Sequence, residues 1–266
     1  MSGRAVDLEV SDVRSRQAGP ALITVVTPVF DGGHQHLRQA YESLRQQEMP
    51  PGWDWEWCVQ EDGSTGVPTA VLPDDPRISP GSGLTGRAGV ARTMALARAT
   101  GSLVRTLDAD DVLLPGALAR DIATLDRVAW CTSAGLDLHP DGTTTPGPYD
   151  PPGGPLPDDL FFTEQQRDRL SVLAANLAAH TDLVRALGGW PALTGAETIG
   201  LLLAAEAVTA GEFIAQPSML YRRHGGQTTA SGRYWDAEES RARLRTVVDR
   251  ARILRRLGWK WPALDG

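Results

Sequence analysis

The chain has 266 residues, 41% of them hydrophobic, and its 26 Lys and Arg against 33 Asp and Glu give a formal net charge of −7. This composition indicates a globular protein with a substantial core, and the negative balance excludes a general attraction for nucleic acid or an anionic membrane surface. No apolar run approaches the roughly 18 residues that a membrane span needs and no secretory apolar segment is visible, so we expect a cytoplasmic location.

The first elements alternate between strand and helix. Residues 1–19 are polar and mixed in charge, which indicates a flexible N-terminal arm. ALITVVTPVF, residues 21–30, is rich in β-branched and apolar side chains, as is typical of a strand buried on both faces. HQHLRQAYESLRQQ, residues 34–47, has apolar residues at helical spacing, and the tryptophans of WDWEWCV, residues 53–59, alternate as in a second strand.

A third unit repeats this order. It runs from RIS, residues 77–79, through a glycine-rich loop to the helical pattern of residues 88–99 and then to the strand SLVRTL, residues 102–107. Pro115 is suited to the first turn of a helix that continues to Leu125. Strands and helices in this order predict an α/β fold with a doubly wound, mainly parallel sheet.

The second half of the chain is less regular. Residues 140–157 contain seven prolines and four glycines, which predicts an irregular loop. Capping residues, glycine terminators and apolar periodicity then predict four helices and two strands. The helices are a short one opened by a capping box at Thr163, residues 180–189 with Gly188 as terminator, residues 195–211, and an amphipathic helix within 236–261; the strands are residues 212–216 and 218–223, on either side of Pro217.

Three of the predicted strands end in acidic residues: Asp31 follows the first, Asp62 the second, and Asp108, Asp110 and Asp111 follow residues 102–107. In doubly wound sheets ligands bind beyond the carboxyl ends of the strands, so we expect these carboxylates to share one crevice. Carboxylates this close repel one another, so we expect a positively charged group near them. Mg²⁺ or Mn²⁺ takes one or two protein carboxylates together with phosphate oxygens and water, and this stoichiometry suits a nucleoside diphosphate.

GSGLTG, residues 81–86, matches the Gly-x-Gly-x-x-Gly pattern of dinucleotide-binding enzymes, with Asp108 at a suitable distance for a ribose contact. That pattern belongs directly after the first strand, whereas two strand–helix units precede it here, so we do not adopt this interpretation. Arg87 and Arg92 flank the start of the helix after this loop, where guanidinium groups and the helix dipole favour phosphate.

The motifs VTPVFDGG, QEDGST, GRAGVARTMALARATGS, LDADDVLLPGAL, LGGW and YRRHGGQTT follow one another between about residues 21 and 230. In this order they resemble the family 2 glycosyltransferases with the GT-A fold. The resemblance implies a Rossmann-like, doubly wound mixed sheet in a single continuous unit with a C-terminal helix. It also implies metal-dependent transfer of a sugar, with inversion, from a nucleotide sugar to an acceptor hydroxyl.

The resemblance assigns roles to several residues. Pro28 and its neighbours Thr27, Phe30 and Asp31 would frame the nucleoside, and Asp62 would accept a hydrogen bond from a pyrimidine base, usually uracil. We therefore expect a UDP-sugar as the donor.

The remaining site residues are expected near the diphosphate and its metal ion. By the same resemblance Asp108 would lie near the ribose or the metal, Asp110 would be the principal ligand of Mn²⁺ or Mg²⁺, and His224 would lie near the diphosphate, so we group it with Asp110 as a metal residue. A lone histidine is equally common in a structural role.

One departure from the family pattern concerns the catalytic base. Inverting members usually carry a Glu-Asp pair after the GGW motif, whereas this chain has Glu197 and Thr198. Two interpretations stay open. Glu197 is the base that deprotonates the acceptor, or it is a structural acid in a degenerate protein that binds nucleotide or nucleotide sugar without turnover. A nucleotidyltransferase is disfavoured because the turn after the first strand has no lysine.

The predicted organisation is a nucleotide-sugar-binding half over residues 20–111, an acceptor half over 112–230, and a C-terminal amphipathic helix with its tail over 231–266. The expected partners are the nucleoside-diphosphate sugar and an acceptor that is a small molecule or a glycan, without nucleic acid and without a membrane span. The terminal helix either packs back on the fold or pairs with a second copy in a homodimer.

Overall fold

The computed structural model of the protein describes residues 19–147, 150–227 and 232–262. The predicted N-terminal arm, except Gly19, and residues 263–266 of the predicted tail lie outside the described residues. The strands are β1 (Ala21–Val29), β2 (Trp53–Glu61), β3 (Ile78–Gly81), β4 (Leu103–Thr106), β5 (Val112–Leu113), β6 (Trp130–Leu138), β7 (Thr144–Pro146), β8 (Gly154–Pro155), β9 (Ala178–His180) and β10 (Glu212–Arg222). The helices are α1 (Leu37–Arg45), α2 (Val67–Ala70), α3 (Arg87–Leu96), α4 (Ala117–Leu125), α5 (Leu160–Gln166), α6 (Thr181–Ala186), α7 (Glu197–Val208) and α8 (Ala237–Leu257).

The strands of the described chain form one mixed sheet in the order β3-β2-β1-β4-β9-β6-β10-β5, with β7 on β6 and β8 on β10. The pairs β3–β2, β2–β1 and β1–β4 are parallel, β9 is antiparallel to both β4 and β6, and β10 runs parallel to β6. Because β2 and β4 lie on opposite sides of β1, the strand order changes direction there and opens a crevice at the carboxyl ends. The predicted doubly wound mixed sheet is confirmed.

Helices cover both faces of the sheet, and strand alternation decides which face each side chain joins. Trp57 packs in one cluster with Leu37 of α1 and Leu118 of α4. The next residue, Cys58, belongs to the opposite cluster with Leu202 of α7. Both strand residues are fully buried. Burial on both faces explains why β1 is apolar with little interruption.

The C-terminal helix α8 packs back on α7. Val247 and Ala251 are buried, and a Cβ atom at Gly200 of α7 would lie 2.8 Å from Val247 Cγ1, so this glycine permits the close approach of the two helices. Among the described residues no helix is both long enough and apolar enough to cross a bilayer. Pairing with a second copy stays a prediction.

A buried arginine joins three elements in the middle of the sheet. Arg105 of β4 is fully buried; its Nη1 donates to Asp121 Oδ2 of α4 at 2.8 Å. Its Nη2 donates to Asn176 Oδ1 at 3.1 Å and to Ser218 Oγ of β10 at 2.8 Å. Burial raises the pKa of the Asp121 carboxyl, and the charge of Arg105 opposes that rise. This network ties the parallel half of the sheet to its second half.

Two predicted helix starts are wrong. Thr163 does not open a helix, because α5 already begins at Leu160. The two oxygens of Glu206, on α7, accept hydrogen bonds from the backbone N–H groups of Phe161 and Phe162, so the first turn of α5 is capped by a distant side chain that no local pattern reveals. Pro115 precedes α4 rather than lying in its first turn, since Gly116 takes the position before the helix with φ of 72°.

The second half of the sheet also differs from the prediction. β6 and β9 lie in segments where no strand was predicted, and the predicted loop 140–157 contains the short strands β7 and β8. Pro217 does not divide two strands: β10 is continuous, and its register on β6 shifts between Ile214 and Met219. A proline has no N–H to donate to a ladder, and an irregularity of this kind accommodates it within one strand.

Candidate functional site

The loop after β2 meets the start of α3 through Asp62. Its backbone N–H donates to Val29 O at the end of β1 at 2.7 Å. Its Oδ1 accepts hydrogen bonds from the backbone N–H groups of Gly86 at 2.6 Å and Arg87 at 3.0 Å. Asp62 thus holds together the ends of two parallel strands and the first turn of α3, next to the expected nucleotide. Its contact with a base stays a prediction, and so does a phosphate contact of Arg87.

The residues predicted to frame the nucleoside lie at and just after the end of β1. Thr27 is buried and its Oγ1 accepts a hydrogen bond from Trp57 Nε1 at 2.8 Å, so its side chain supports the strand from inside. Pro28 is partly exposed and Asp31 is exposed. The ring of Phe30 is 48% exposed, and an exposed aromatic face at a strand end is suited to stacking on a base.

Arg92 connects α3 with the acid after β4 and with the start of α7. This side chain of α3 is only 3% exposed. Its Nη2 donates to Asp108 Oδ1, and its Nη1 donates to Glu197 Oε1, at the start of α7, at 2.6 Å. Burial opposes the charge of Arg92, but the two carboxylates outweigh it and raise the pKa of its guanidinium. The structure therefore brings three predicted site residues together, with Arg92 directed at two carboxylates; its predicted phosphate contact remains untested.

Asp110 and His224 lie side by side although 114 positions separate them: His224 Nε2 is 2.8 Å from Asp110 Oδ2. Arg222 and Asp111 hold this pair in place. Arg222 Nε donates to Asp110 O at 2.8 Å, and the backbone N–H of Arg222 donates to Asp111 Oδ1 at 2.9 Å. Asp111 thereby fastens the end of β10 to the acidic loop. The sequence showed Asp111 only as a member of the acidic triplet and did not single out Arg222.

Asp111 differs from Asp108 and Asp110 in being fully buried. Burial, followed by the charges of Asp108 and Asp110, raises the pKa of the Asp111 carboxyl well above its ordinary value. Its Oδ2 is buried without a hydrogen-bond partner among the described residues. Asp111 is therefore a support for the loop, whereas Asp108 and Asp110 are the partly exposed carboxylates that a ligand can reach.

Asp110 and His224 are ligand types that a divalent metal ion takes. Asp110 offers a carboxylate and His224 an imidazole, and no group of three or more His, Cys, Asp or Glu comes together as a ligand set in the part of the chain described. A divalent ion held here would need further oxygen ligands from a diphosphate and water. Mg²⁺ and Mn²⁺ are commonly bound in this way, through one or two protein ligands and substrate phosphates.

The loop before α7 packs closely on α3. Thr93 Oγ1 donates to Trp190 O and accepts from Trp190 N, each at 3.0 Å, which fixes the LGGW motif on the helix. A Cβ atom at Gly89 would lie 2.5 Å from Pro191 O and 3.0 Å from Glu197 Cβ. The absence of a side chain at Gly89 is therefore what lets Glu197 come within reach of Arg92.

We expect Gly89→Ala to destabilise the protein by about 1–3 kcal/mol, because the added methyl group overlaps backbone that has little room to move. Urea denaturation measures this change. Gly83→Ala is the matched control, since a Cβ atom there would meet only Gln60 Nε2, at 3.6 Å. Equal stability of the two variants would show that the close approach at Glu197 carries no constraint.

The comparisons with known proteins agree with this fold. The profile of the family "Glycosyl transferase family 2" matches residues 24–175. The uncharacterized protein y4gI of Sinorhizobium fredii (strain NBRC 101917 / NGR234) is 30% identical over 217 residues, which cover 76% of this chain and 22% of that protein. The chain thus spans about a fifth of the length of this curated relative.

Among solved structures, S. aureus TarS 1–349 in complex with UDP-GlcNAc matches with a TM-score of 0.65 and 18% identity, over 83% of this chain and 65% of that one. The crystal structure of S. aureus TarS matches with a TM-score of 0.64 and 15% identity, over 85% and 38%. At such identities the likeness shows the fold, a GT-A-like mixed α/β sheet with a C-terminal helix. Because the family profile covers more than half of the chain, the protein belongs to glycosyl transferase family 2.

Proposed function

We propose that the protein is a metal-dependent, inverting glycosyltransferase that moves a sugar from a UDP-sugar to an acceptor hydroxyl. The observation that carries this proposal is the contact of Arg92 with both Asp108 and Glu197. It joins an acid at the end of β4, where the donor is expected, to the only acid in the first turn of α7, where the family has its base. The start of α7 thus meets two segments that precede it by about 90 to 105 residues, at the carboxyl ends of the parallel strands.

Several features support a nucleotide sugar as the donor. The half-exposed ring of Phe30 and the carboxylate of Asp62 flank the end of β1, which suits a nucleoside. The similar TarS structure was determined in complex with UDP-GlcNAc, so this donor is the first to test.

Asp110 and His224 are the residues proposed to hold Mn²⁺ or Mg²⁺. When bound, the ion would neutralise charge that develops on the departing diphosphate. The protein must hold the side chains of Asp110 and His224 close together. Arg222 does this through its side-chain and backbone hydrogen bonds to Asp110 and Asp111.

Glu197 is the proposed base for the acceptor hydroxyl. Its Oε1 is held by Arg92, so the direction of the carboxylate is fixed before a ligand arrives. In a single in-line displacement the carboxylate would take the hydroxyl proton, the acceptor oxygen would bond to the anomeric carbon, and the bond from that carbon to the diphosphate would break.

The alternative is a binding protein that holds nucleotide or nucleotide sugar without turnover. It is favoured by Thr198, which stands where the family has its aspartate and is 7% exposed inside α7. A hydroxyl group in that place is no base. The two functions differ in turnover and agree in ligand binding, so binding and hydrolysis must be measured separately.

We expect UDP with Mn²⁺, at about 100 times its Kd, to stabilise the protein by about 2.7 kcal/mol. Asp110→Asn should remove most of this metal-dependent gain because it takes away the anionic ligand. Thermal unfolding with UDP, with Mn²⁺ and with both measures it. Asp126→Asn, at an exposed position after α4, is the control. A UDP effect that is the same without Mn²⁺ and in Asp110→Asn would refute the metal site.

A further inference from the structure

A cleft of about 980 Å³ lies beside the Asp110–His224 pair, and most of its lining has no role in the proposed reaction. It is bounded by α1, β5, the connection between β6 and β7, and the end of β10. Its volume falls within the usual range for sites that hold small molecules. The cationic and imidazole groups in its lining are Arg38, Arg222, Arg223, His36, His139 and His224.

The charge of this cleft differs from that of the chain as a whole. The protein has a net charge of −7, yet three arginines and a single acid, Glu42, line the cleft, all in the described part of the chain. Glu42 is ion-paired with Arg45 Nε at 2.9 Å, outside the lining. Arg222 Nη2 donates to a neutral partner, Gln39 Oε1, at 2.6 Å, and Arg38 is exposed. Arg223 is ion-paired with Asp137 Oδ2 at 2.8 Å, so the positive charge of the cleft comes from Arg38 and Arg222.

The uncharged part of the lining suits a sugar. The amides of Gln35, Gln39 and Gln46 offer donors and acceptors for hydroxyl groups, while Leu113 and Pro140 add apolar surface. Such a combination of a few polar groups on apolar walls is typical of small-molecule sites.

The cleft is separate from the expected donor site. Asp62 and Asp108 do not line it, and the two sites share His224 and its support Arg222. A ligand in the cleft would therefore extend away from the Asp110–His224 pair along α1 and leave the end of β1 free for a nucleoside.

We propose that this cleft is a second binding site, for an anionic sugar whose charge is a phosphate or a carboxylate. Arg38 and Arg222 bind the anionic group, and the glutamine amides bind the hydroxyl groups. The site goes beyond the proposed transfer reaction, because it requires neither the donor nor the metal.

Isothermal titration of the full chain, without nucleotide or metal, tests the site with glucose 6-phosphate, glucuronate, glucose and inorganic phosphate. We expect one of the two anionic sugars to bind at least tenfold more tightly than both glucose and inorganic phosphate, and the tighter one identifies the charged group. Arg38→Glu should weaken the binding of that anionic sugar by about tenfold or more, since an attraction becomes a repulsion. Arg241→Glu, at an exposed position of α8 that does not line the cleft, should leave the Kd of that sugar unchanged.

Three results would overturn the proposal: no anionic sugar binds more tightly than glucose, inorganic phosphate binds as tightly as the anionic sugar, or Arg38→Glu has no larger effect than Arg241→Glu. A parallel titration with UDP and Mn²⁺ separates this site from the donor site. Equal loss of UDP affinity in Arg38→Glu would make the cleft part of the donor site and refute its independence. Failure of UDP to bind any variant would count against the proposed function alone.

Discussion

Replacing Glu197 with Gln is expected to lower the turnover of the donor sugar by about 10²–10⁴-fold while leaving the affinity for UDP nearly unchanged. The amide retains an oxygen that can accept the hydrogen bond of Arg92 Nη1, so the local geometry should survive. It cannot take a proton from the acceptor. Hydrolysis of UDP-GlcNAc and of other nucleoside-diphosphate sugars, followed as release of UDP or the matching diphosphate, measures the rate, and titration with UDP and Mn²⁺ measures the affinity.

Glu238→Gln is the matched control, because Glu238 is an exposed first-turn acid of another helix, α8. If Glu197→Gln and Glu238→Gln turn over the donor at the wild-type rate, another group is the base. If the wild type binds UDP but shows no turnover with any donor, the binding protein is the better description. In that case Thr198 marks the loss of catalysis, and the Arg92–Glu197 contact is structural.

Replacing Arg105 with Met is expected to lower the free energy of unfolding by about 3–5 kcal/mol, a large share of the stability of an ordinary domain. The guanidinium is fully buried and is the ion-pair partner of Asp121, whose side chain is 1% exposed. Without Arg105 the buried Asp121 carboxylate loses its ion-pair partner and keeps only the smaller attraction of Arg120. The side chains of Asn176 and Ser218 would lose their donor as well. Urea denaturation of the variant measures the loss.

A second variant distinguishes the missing partner from general damage to the core. Arg105→Met combined with Asp121→Leu removes both charges, and we expect it to recover most of the lost stability. Arg127→Met removes the exposed partner of Glu212 and should change stability little. If the double variant is as unstable as Arg105→Met alone, the network acts through packing rather than charge.

The first half of the fold could be predicted from local pattern. β1 is an apolar run and β2 begins with tryptophans that alternate with acids, and turn formers follow both strands, so the limits of each strand can be recognised locally. The second half could not be predicted in this way. β9 has three residues and β5 has two, and segments of this length become strands only because β4, β6 and β10 offer them partners.

The candidate site shows the same division. The acids Asp108 and Asp110 were recognisable because their positions follow a strand directly, and His224 was recognisable by the YRRH motif. The contact between Asp110 and His224, and the place of Arg92 between two carboxylates, depend on segments that meet only after folding. The support that Asp111 gives to β10 was hidden for the same reason, because its burial is a property of the assembled sheet.

The sequence by itself determined the alternation of strands and helices, the acids at the strand ends and the resemblance to a family, because these depend on residues close together in the chain. The tertiary structure alone decided which of those residues touch. It directed Arg92 at Asp108 and Glu197, set His224 against Asp110, and gathered arginines from α1 and β10 around one cleft. Hydrogen bonds and ion pairs act over a few ångströms, and only the packing of the sheet brings positions that are more than a hundred residues apart within that distance.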